Sequence, residues 1–214
     1  MQHTIPGYDD LMAASMIEIR DDQGTKIEFG KLIEGGLGKR YVVIFIRHWY
    51  CPLCAQYTES IIRTIDQESL DRANVELIII GNGSYKMIPG YSKSLKCPFK
   101  MYTDSKLRLY KALGMTRQTG DAGAEDEKGD YVRMSNLEGT WQVAKRATKM
   151  PLKKPGHFTQ IGGEFIFSGP TECTYAHRMS NTRNHAPIRD IVALAGVHLD
   201  FFHGERGEYW RSLF

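Results

Sequence analysis

Long apolar runs are missing from this sequence. None approaches the ~20 residues that span a bilayer, so a membrane-crossing helix is excluded. The opening MQHTIPGYDDLMAASM has no basic start followed by an apolar stretch, and no secretory signal is expected. Cysteine is scarce: 4 in 214 residues make no disulfide framework, and the expected setting is a reducing, cytoplasmic one. An excess of one charge is missing too. With 28 basic and 25 acidic residues the net charge is +3, too balanced to mark a nucleic-acid or membrane surface. No internal repeat is visible. What remains reads as one globular domain over residues 1–214, long enough to bury a core without staples.

The pattern along the chain is strand and helix in alternation. ASMIEIRDDQGTKIEFGKLI reads as a hairpin in which Ile17 and Ile19 alternate with polar residues, Asp22-Gln23-Gly24 turns, and Ile27 and Phe29 resume. YVVIFI and VELIIIG are continuous and β-branched, as in strands buried on both faces. Between them, Tyr57, Ile61, Ile62 and Ile65 recur at helical spacing, predicting a helix from Leu53 to Leu70. Gly81-Asn-Gly83-Ser84 then carries helix-start chemistry, MIPGYSKSLKCPF a short helix and turn, and KMYTD a third strand. SKLRLYKALGM predicts a helix stopped by Gly114.

Residues 116–160 break this rhythm as an insertion. QTGDAGAEDEKGD is acidic, Gly-rich and expected to be mobile, and MSNLEGTWQVAKRATKM is expected to be helical. A second hairpin, GGEFIFSGPTECTYAHRM, turns at Ser168-Gly169-Pro170, and APIRDIVALAGV is an amphipathic helix opened by Pro187. The aromatic tail, 198–214, either packs back or forms a homodimer contact. The order predicts an α/β fold with a mixed sheet flanked by helices.

Cys51-Pro52-Leu53-Cys54 is the chemical focus. A metal reading needs further ligands at sensible spacing, but Cys97 and Cys173 stand alone and His177 and His185 lie eight apart, so no metal is expected. Cys51 falls where a central strand hands over to a helix N-terminus, where free N–H groups and the helix dipole stabilise a thiolate. Cys54, one turn on, can close a disulfide with it. The reading is therefore a reactive pair rather than two packed thiols. Arg47 and His48 precede it and can add positive charge, with His48 also a possible proton donor. Strand alternation separates the two, so they cannot both point at the sulfur. Pro52 is preset for the first helical turn. Tyr50 either shapes access or is a packed ring. Cys97 and Cys173 are expected to pack as small hydrophobes.

Several ordered segments carry a resemblance: Arg47-His48-Trp49-Tyr50-Cys51-Pro52-Leu53-Cys54; Gly81-x-Gly83-Ser84; Pro98-Phe99 with Tyr102-x-Asp104 and Leu109-Tyr110-x-Ala112-Leu113-Gly114-Met115; Gln160-x-Gly162-Gly163-Glu164-Phe165; and Tyr175-Ala176-His177-Arg178 with His185-Ala186-Pro187. From about Val42 to Pro187 the chain resembles the peroxiredoxin-like 2 group, the AhpC/TSA-like, selenoprotein U-related branch of the thioredoxin superfamily. The resemblance implies a thioredoxin-like fold with peroxiredoxin-type extensions. It implies thiol redox chemistry at Cys51, with Cys54 resolving, no tightly bound cofactor, and a thiol reductant such as glutathione or thioredoxin as co-substrate. Two positions depart from better-known relatives. His48 stands where peroxiredoxins carry Thr or Ser, and Gln160 or Ile161 stands where thioredoxins carry a cis-proline.

By that analogy Gln160 faces the cysteines as a substrate contact. Arg178, after a neighbouring strand, either reaches the thiolate or makes a surface ion pair. Trp141 and Trp49 either line a pocket or belong to core and interface, and His177 and His185 are read as structural. Three functions follow in order: a peroxide or disulfide oxidoreductase; an enzyme for a small electrophilic metabolite, with glutathione assisting addition, reduction or isomerisation; and a non-catalytic binding module.

Overall fold

The computed structural model describes residues 2–133 and 154–199. Three strands, β3 (Arg40–Phe45), β4 (Val75–Gly81) and β5 (Lys100–Thr103), run parallel, with Val42 opposite Leu77 and Ile79 opposite Met101. The hairpin of β6 (Gly163–Phe167) and β7 (Cys173–Arg178) adds antiparallel strands beside β3, with Val43 opposite Phe165. The N-terminal hairpin, β1 (Glu18–Arg20) and β2 (Lys26–Glu28), pairs antiparallel with β5 at the other edge. The order is β2-β1-β5-β4-β3-β6-β7, the expected mixed sheet with β3 and β4 at its heart.

Period-2 alternation splits the core into two layers. Val42, Ile44, Leu77, Ile79 and Ile166 face the layer of α3 (Pro52–Thr64), α5 (Ile88–Leu95) and α7 (Ile188–Leu194), and both Cys51 and Cys54 lie in it. Val43, Phe45, Ile78, Ile80, Phe165 and Phe167 face the other layer, with α1 (Tyr8–Ser15), α2 (Phe29–Leu32) and α6 (Arg108–Ala112). The face on which a strand residue falls therefore decides whether it can meet the sulfurs. No described helix is long and apolar enough to cross a membrane.

Four sequence expectations change. The helix expected from Leu53 to Leu70 breaks: Ile65 is extended, Asp66 caps a new helix, α4 (Gln67–Arg72), and its carboxylate accepts from Ser69 N at 2.7 Å. A cap signal overrode the periodic one. Phe29 does not continue β2. It opens α2 and packs edge-on against Phe167. α1 was not anticipated; two buried residues, Leu11 and Ala14, gave too thin a stripe. The acidic loop is pinned rather than loose: Arg183 donates to the carbonyls of Ala122 and Gly123 and pairs with Glu125 at 2.9 Å. The expected helix around Trp141 and residues 200–214 of the tail lie outside the described residues.

β6 approaches β3 so closely that a Cβ on Gly162 would sit 1.8 Å from the Phe45 carbonyl oxygen. Gly162→Ala is expected to lower stability by about 1–3 kcal/mol, the usual cost of overpacking, measured as a reduced urea midpoint.

Candidate active site

β3 leaves the sheet after Phe45, and the chain reaches α3 through Ile46–Cys51. Cys51 is the N-cap of α3: its sulfur accepts from Cys54 N at 3.3 Å, and Pro52 fills the first helical position. Arg47 Nη1 donates to the same sulfur at 3.4 Å. The Arg47 backbone N–H donates to Cys54 Sγ at 3.3 Å. Burial by itself would raise the Cys51 pKa. The Cys54 thiol and N–H, with the Arg47 guanidinium, outweigh it and hold Cys51 below the ordinary thiol range. Cys54 moves the opposite way, pushed well up by burial and by the neighbouring Cys51 charge. The surroundings thus favour the thiolate at Cys51 and the thiol at Cys54. Both are closed to solvent.

Arg47 is fixed from two sides. Its Nη2 donates to the Phe158 carbonyl at 2.9 Å, and its own carbonyl accepts from Asn82 Nδ2. The Asn82 oxygen accepts in turn from His157 N. Asn82 therefore clasps the strand end on one side and the segment 154–159 on the other. That segment is also held by Trp49 N on the Pro155 carbonyl and Ser84 N on the Lys154 carbonyl. Its close approach uses two glycines at φ +115°: a Cβ on Gly83 would lie 2.6 Å from Gly156 N, and one on Gly156 would lie 2.3 Å from Asn82 Oδ1.

The expected charge from His48 is not there. Its ring packs against Phe158 at 4.6 Å, and burial followed by the Arg47 charge lowers its pKa to about 3, so it is uncharged near neutrality. Alternation gave Arg47 the sulfur and turned His48 away.

A second polar cluster stands behind Cys54. Glu164 is fully buried in β6 and accepts from His177 Nδ1 at 2.6 Å, from His185 Nδ1, and from Ala186 N at 3.2 Å. Burial would raise the Glu164 carboxyl, but the His185 and His177 interactions bring it down to about 2. His185 Nε2 lies 3.7 Å from Cys54 Sγ. The His185 ring stacks on Tyr57 at 4.2 Å, and the Tyr57 hydroxyl donates to the Ala186 carbonyl at 2.8 Å. Sequence reasoning took both histidines as structural and passed over Glu164. The available signal was a lone carboxylate inside the apolar strand GEFIF, which demands buried partners.

Two further expectations are corrected. Gln160 does not present its amide to the cysteines. Its nitrogen donates to the Met115 and Ile161 carbonyls at 2.8 and 2.9 Å, and its oxygen faces Gln118. Two backbone carbonyls consume the side-chain amide. Arg178 lies on the opposite sheet face from the sulfurs. It donates to the Leu113 and Thr4 carbonyls at 2.6 and 2.7 Å and packs over Phe165. One residue of strand register separates it from His177, which takes the cysteine side.

Tyr50 is nearly buried beside Cys51, and Trp49 is core, edge-on to Tyr91 at 5.2 Å. Trp141 lies outside the described residues. Cys97 and Cys173 are buried thiols, each pushed up to about 11 by burial.

A parallel strand feeding a Cys-capped helix, with a β-hairpin at its side, defines the thioredoxin fold with a dithiol corner. Solved structures agree on that fold. A cysteine-to-serine mutant of peroxiredoxin 6 of Arenicola marina aligns with TM-score 0.59 at 12% identity, over 90% of this chain and 72% of its own. The Xanthomonas campestris bacterioferritin comigratory protein, whose structures concern alkyl peroxide reduction, aligns with TM-score 0.54 at 14% identity, over 90% and 93%. The AhpC/TSA antioxidant enzyme family model matches residues 63–181. Peroxiredoxin-like 2C of Homo sapiens is 32% identical over 92% of this chain and 86% of its own length, and that of Mus musculus 31% over 86% and 80%. The chain belongs to the AhpC/TSA family, in its peroxiredoxin-like 2 branch. The family-model match begins after the cysteine pair, so the sulfurs are argued from their geometry.

Two measurements probe this corner. Arg47→Met is expected to move the midpoint of Cys51 alkylation against pH upward, because a neighbouring positive charge is lost, whereas Arg178→Met leaves that midpoint in place and lowers only stability. His48 works through linkage. The unfolded chain binds its proton near 6.5 and the folded one only near 3. This residue therefore favours unfolding increasingly as pH falls from 6.5 to 3. His48→Gln should lower the acid-unfolding midpoint followed by circular dichroism.

Proposed function

We propose that this chain is a thiol oxidoreductase in which Cys51 attacks a peroxide or disulfide and Cys54 closes the resulting intermediate as an intramolecular disulfide. The observation that carries this reading is the split pair: one sulfur capped by a helix and an arginine, the other kept protonated next to it. Membership of the AhpC/TSA family supports it.

With a hydroperoxide, the Cys51 thiolate bonds to the terminal oxygen and the O–O bond breaks. Cys51 becomes a sulfenic acid, and the alkoxide leaves as alcohol once protonated. Cys54 then displaces hydroxide from that sulfur, which leaves as water, and two equivalents of a thiol such as glutathione, or a reduced thioredoxin, restore the pair by exchange. With a disulfide substrate, the same sulfurs pass through a mixed disulfide. Arg47 has two roles in this scheme. Its Nη1 holds the thiolate, and its Nε–H, buried without a hydrogen-bond partner among the described residues, is a free donor for the substrate oxygen. Tyr50 and Pro52 flank the sulfur as the adjoining substrate wall.

Both sulfurs are shut from solvent, so the reaction begins with an opening. We assign that movement to residues 154–159, which reach the site through Arg47 and Asn82 and expose Phe158 to solvent. Asn82→Ala should then raise the rate of Cys51 alkylation at fixed pH while costing about 1–3 kcal/mol from its abandoned partners.

The deciding experiment is a limiting peroxide pulse followed by mass mapping. The wild type should yield a Cys51–Cys54 disulfide. Cys54→Ser should yield a sulfenic acid on Cys51 that dimedone traps. Cys51→Ser should consume no peroxide, and a variant that retained full turnover would end this reading.

A further inference from the structure

The chemistry above leaves Glu164, His177 and His185 without a task, yet they touch the site through one atom, His185 Nε2. An ionised carboxylate only accepts hydrogen bonds. The Nδ1 that each histidine turns to Glu164 must therefore carry a proton. Gln2 Nε2 lies 3.1 Å from His177 Nε2, an amide donor meeting a bare ring nitrogen, which fits the same tautomer. With its Nδ1–H turned to Glu164, His185 points Nε2 at Cys54 Sγ, 3.7 Å away. Tyr57 and Glu164 hold the ring in that pose by stacking and hydrogen bonding.

The Cys54 proton has two acceptors in reach. One is the Cys51 sulfur and the other is His185 Nε2. While Cys51 is a thiolate, its charge holds the proton. Once Cys51 has reacted, that charge is gone and His185 is the base that remains. The other groups facing the ring do not compete. Tyr57 on α3 and Tyr131 beside it are phenols that burial pushes well up, and Arg47 beyond the sulfurs is a cation. His177 shares the Glu164 carboxylate from β7.

We propose that His185 takes the Cys54 proton as Cys54 closes on an oxidised Cys51, and that Glu164 is the positioning residue that fixes its tautomer and partners the imidazolium. The proposal rests on the Cys51–Cys54 reading above. In the step, a Cys54 lone pair bonds to the Cys51 sulfur while the bond from that sulfur to its hydroxyl or thiolate leaving group breaks. The electron pair departs with the leaving group, and the Cys54 proton moves to Nε2. On the return, a reductant thiolate attacks Cys51, Cys54 leaves as thiolate, and His185 gives the proton back.

A small chromogenic disulfide, 4,4'-dithiodipyridine, tests this without peroxide. Reduced protein should release one thiopyridone as Cys51 attacks and a second as Cys54 closes the ring. In His185→Gln the first burst should keep its rate, and the second should slow about 100-fold, at the low end of general-base effects. The pH dependence of the second burst should lose one ionisation, and Glu164→Gln should slow the same burst less. Added imidazole should restore it in His185→Gly. Equal second bursts in wild type and His185→Gln overturn the proposal, as does slowing of both bursts together. Two normal bursts with no reaction toward peroxide would sink the peroxide reading alone, and no burst at all would sink both. Unmutated protein gives an independent check: 15N spectra of the reduced form must show His185 protonated at Nδ1 and bare at Nε2. The opposite tautomer rules the proposal out whatever the variants do.

Discussion

A charge shut away from water survives only if its partners are already in place, and this corner of the molecule holds several. The Cys51 sulfur, the Arg47 guanidinium and the Glu164 carboxylate are each nearly or fully buried. Desolvation alone would neutralise the sulfur and the carboxylate. What prevents it is convergent donors: two N–H groups on Cys51, one of them from the Arg47 guanidinium, and three on Glu164. The packing of β3, β6, α3 and the 154–159 segment is organised around keeping those donors aimed. Removing any one leaves an unmatched buried charge, which costs more than the bond it made.

The same arrangement gives the two sulfurs different surroundings. They lie three residues apart on one helix, yet one is drawn down and the other driven up. The first has the helix end and Arg47; the second lies against the imidazole and the first sulfur. A pair of like thiols in a uniform setting would share its protons without preference. Asymmetry of surroundings is what moves the pKa values of identical side chains in opposite directions.

Much of this was legible in the residues. The continuous β-branched runs at Val42–Ile46 and Val75–Ile80 announced central strands, and the Cys51-Pro52 junction announced a capped helix. The resemblance to the peroxiredoxin-like 2 group held. The readings that failed did so for separate tertiary reasons. Gln160, and as one of two alternatives Arg178, were placed near the sulfurs by analogy, but strand register puts Arg178 on the far face and backbone carbonyls take up the Gln160 amide. His48 was assigned charge that its burial denies it.

The sequence by itself determined the buried central strands and the late hairpin, where a thiol would meet a helix end, and that Arg47 and His48 must diverge, because these follow from local periodicity and capping. Only the tertiary structure decided that Glu164, His177 and His185 converge behind Cys54, across 131 residues of chain from sulfur to imidazole. It also decided that Asn82 binds the strand end to the 154–159 segment. Contacts of that range carry no periodic signature. They exist because β6 docks against β3 in one register, and a shift of a single residue would turn Glu164 to the opposite layer.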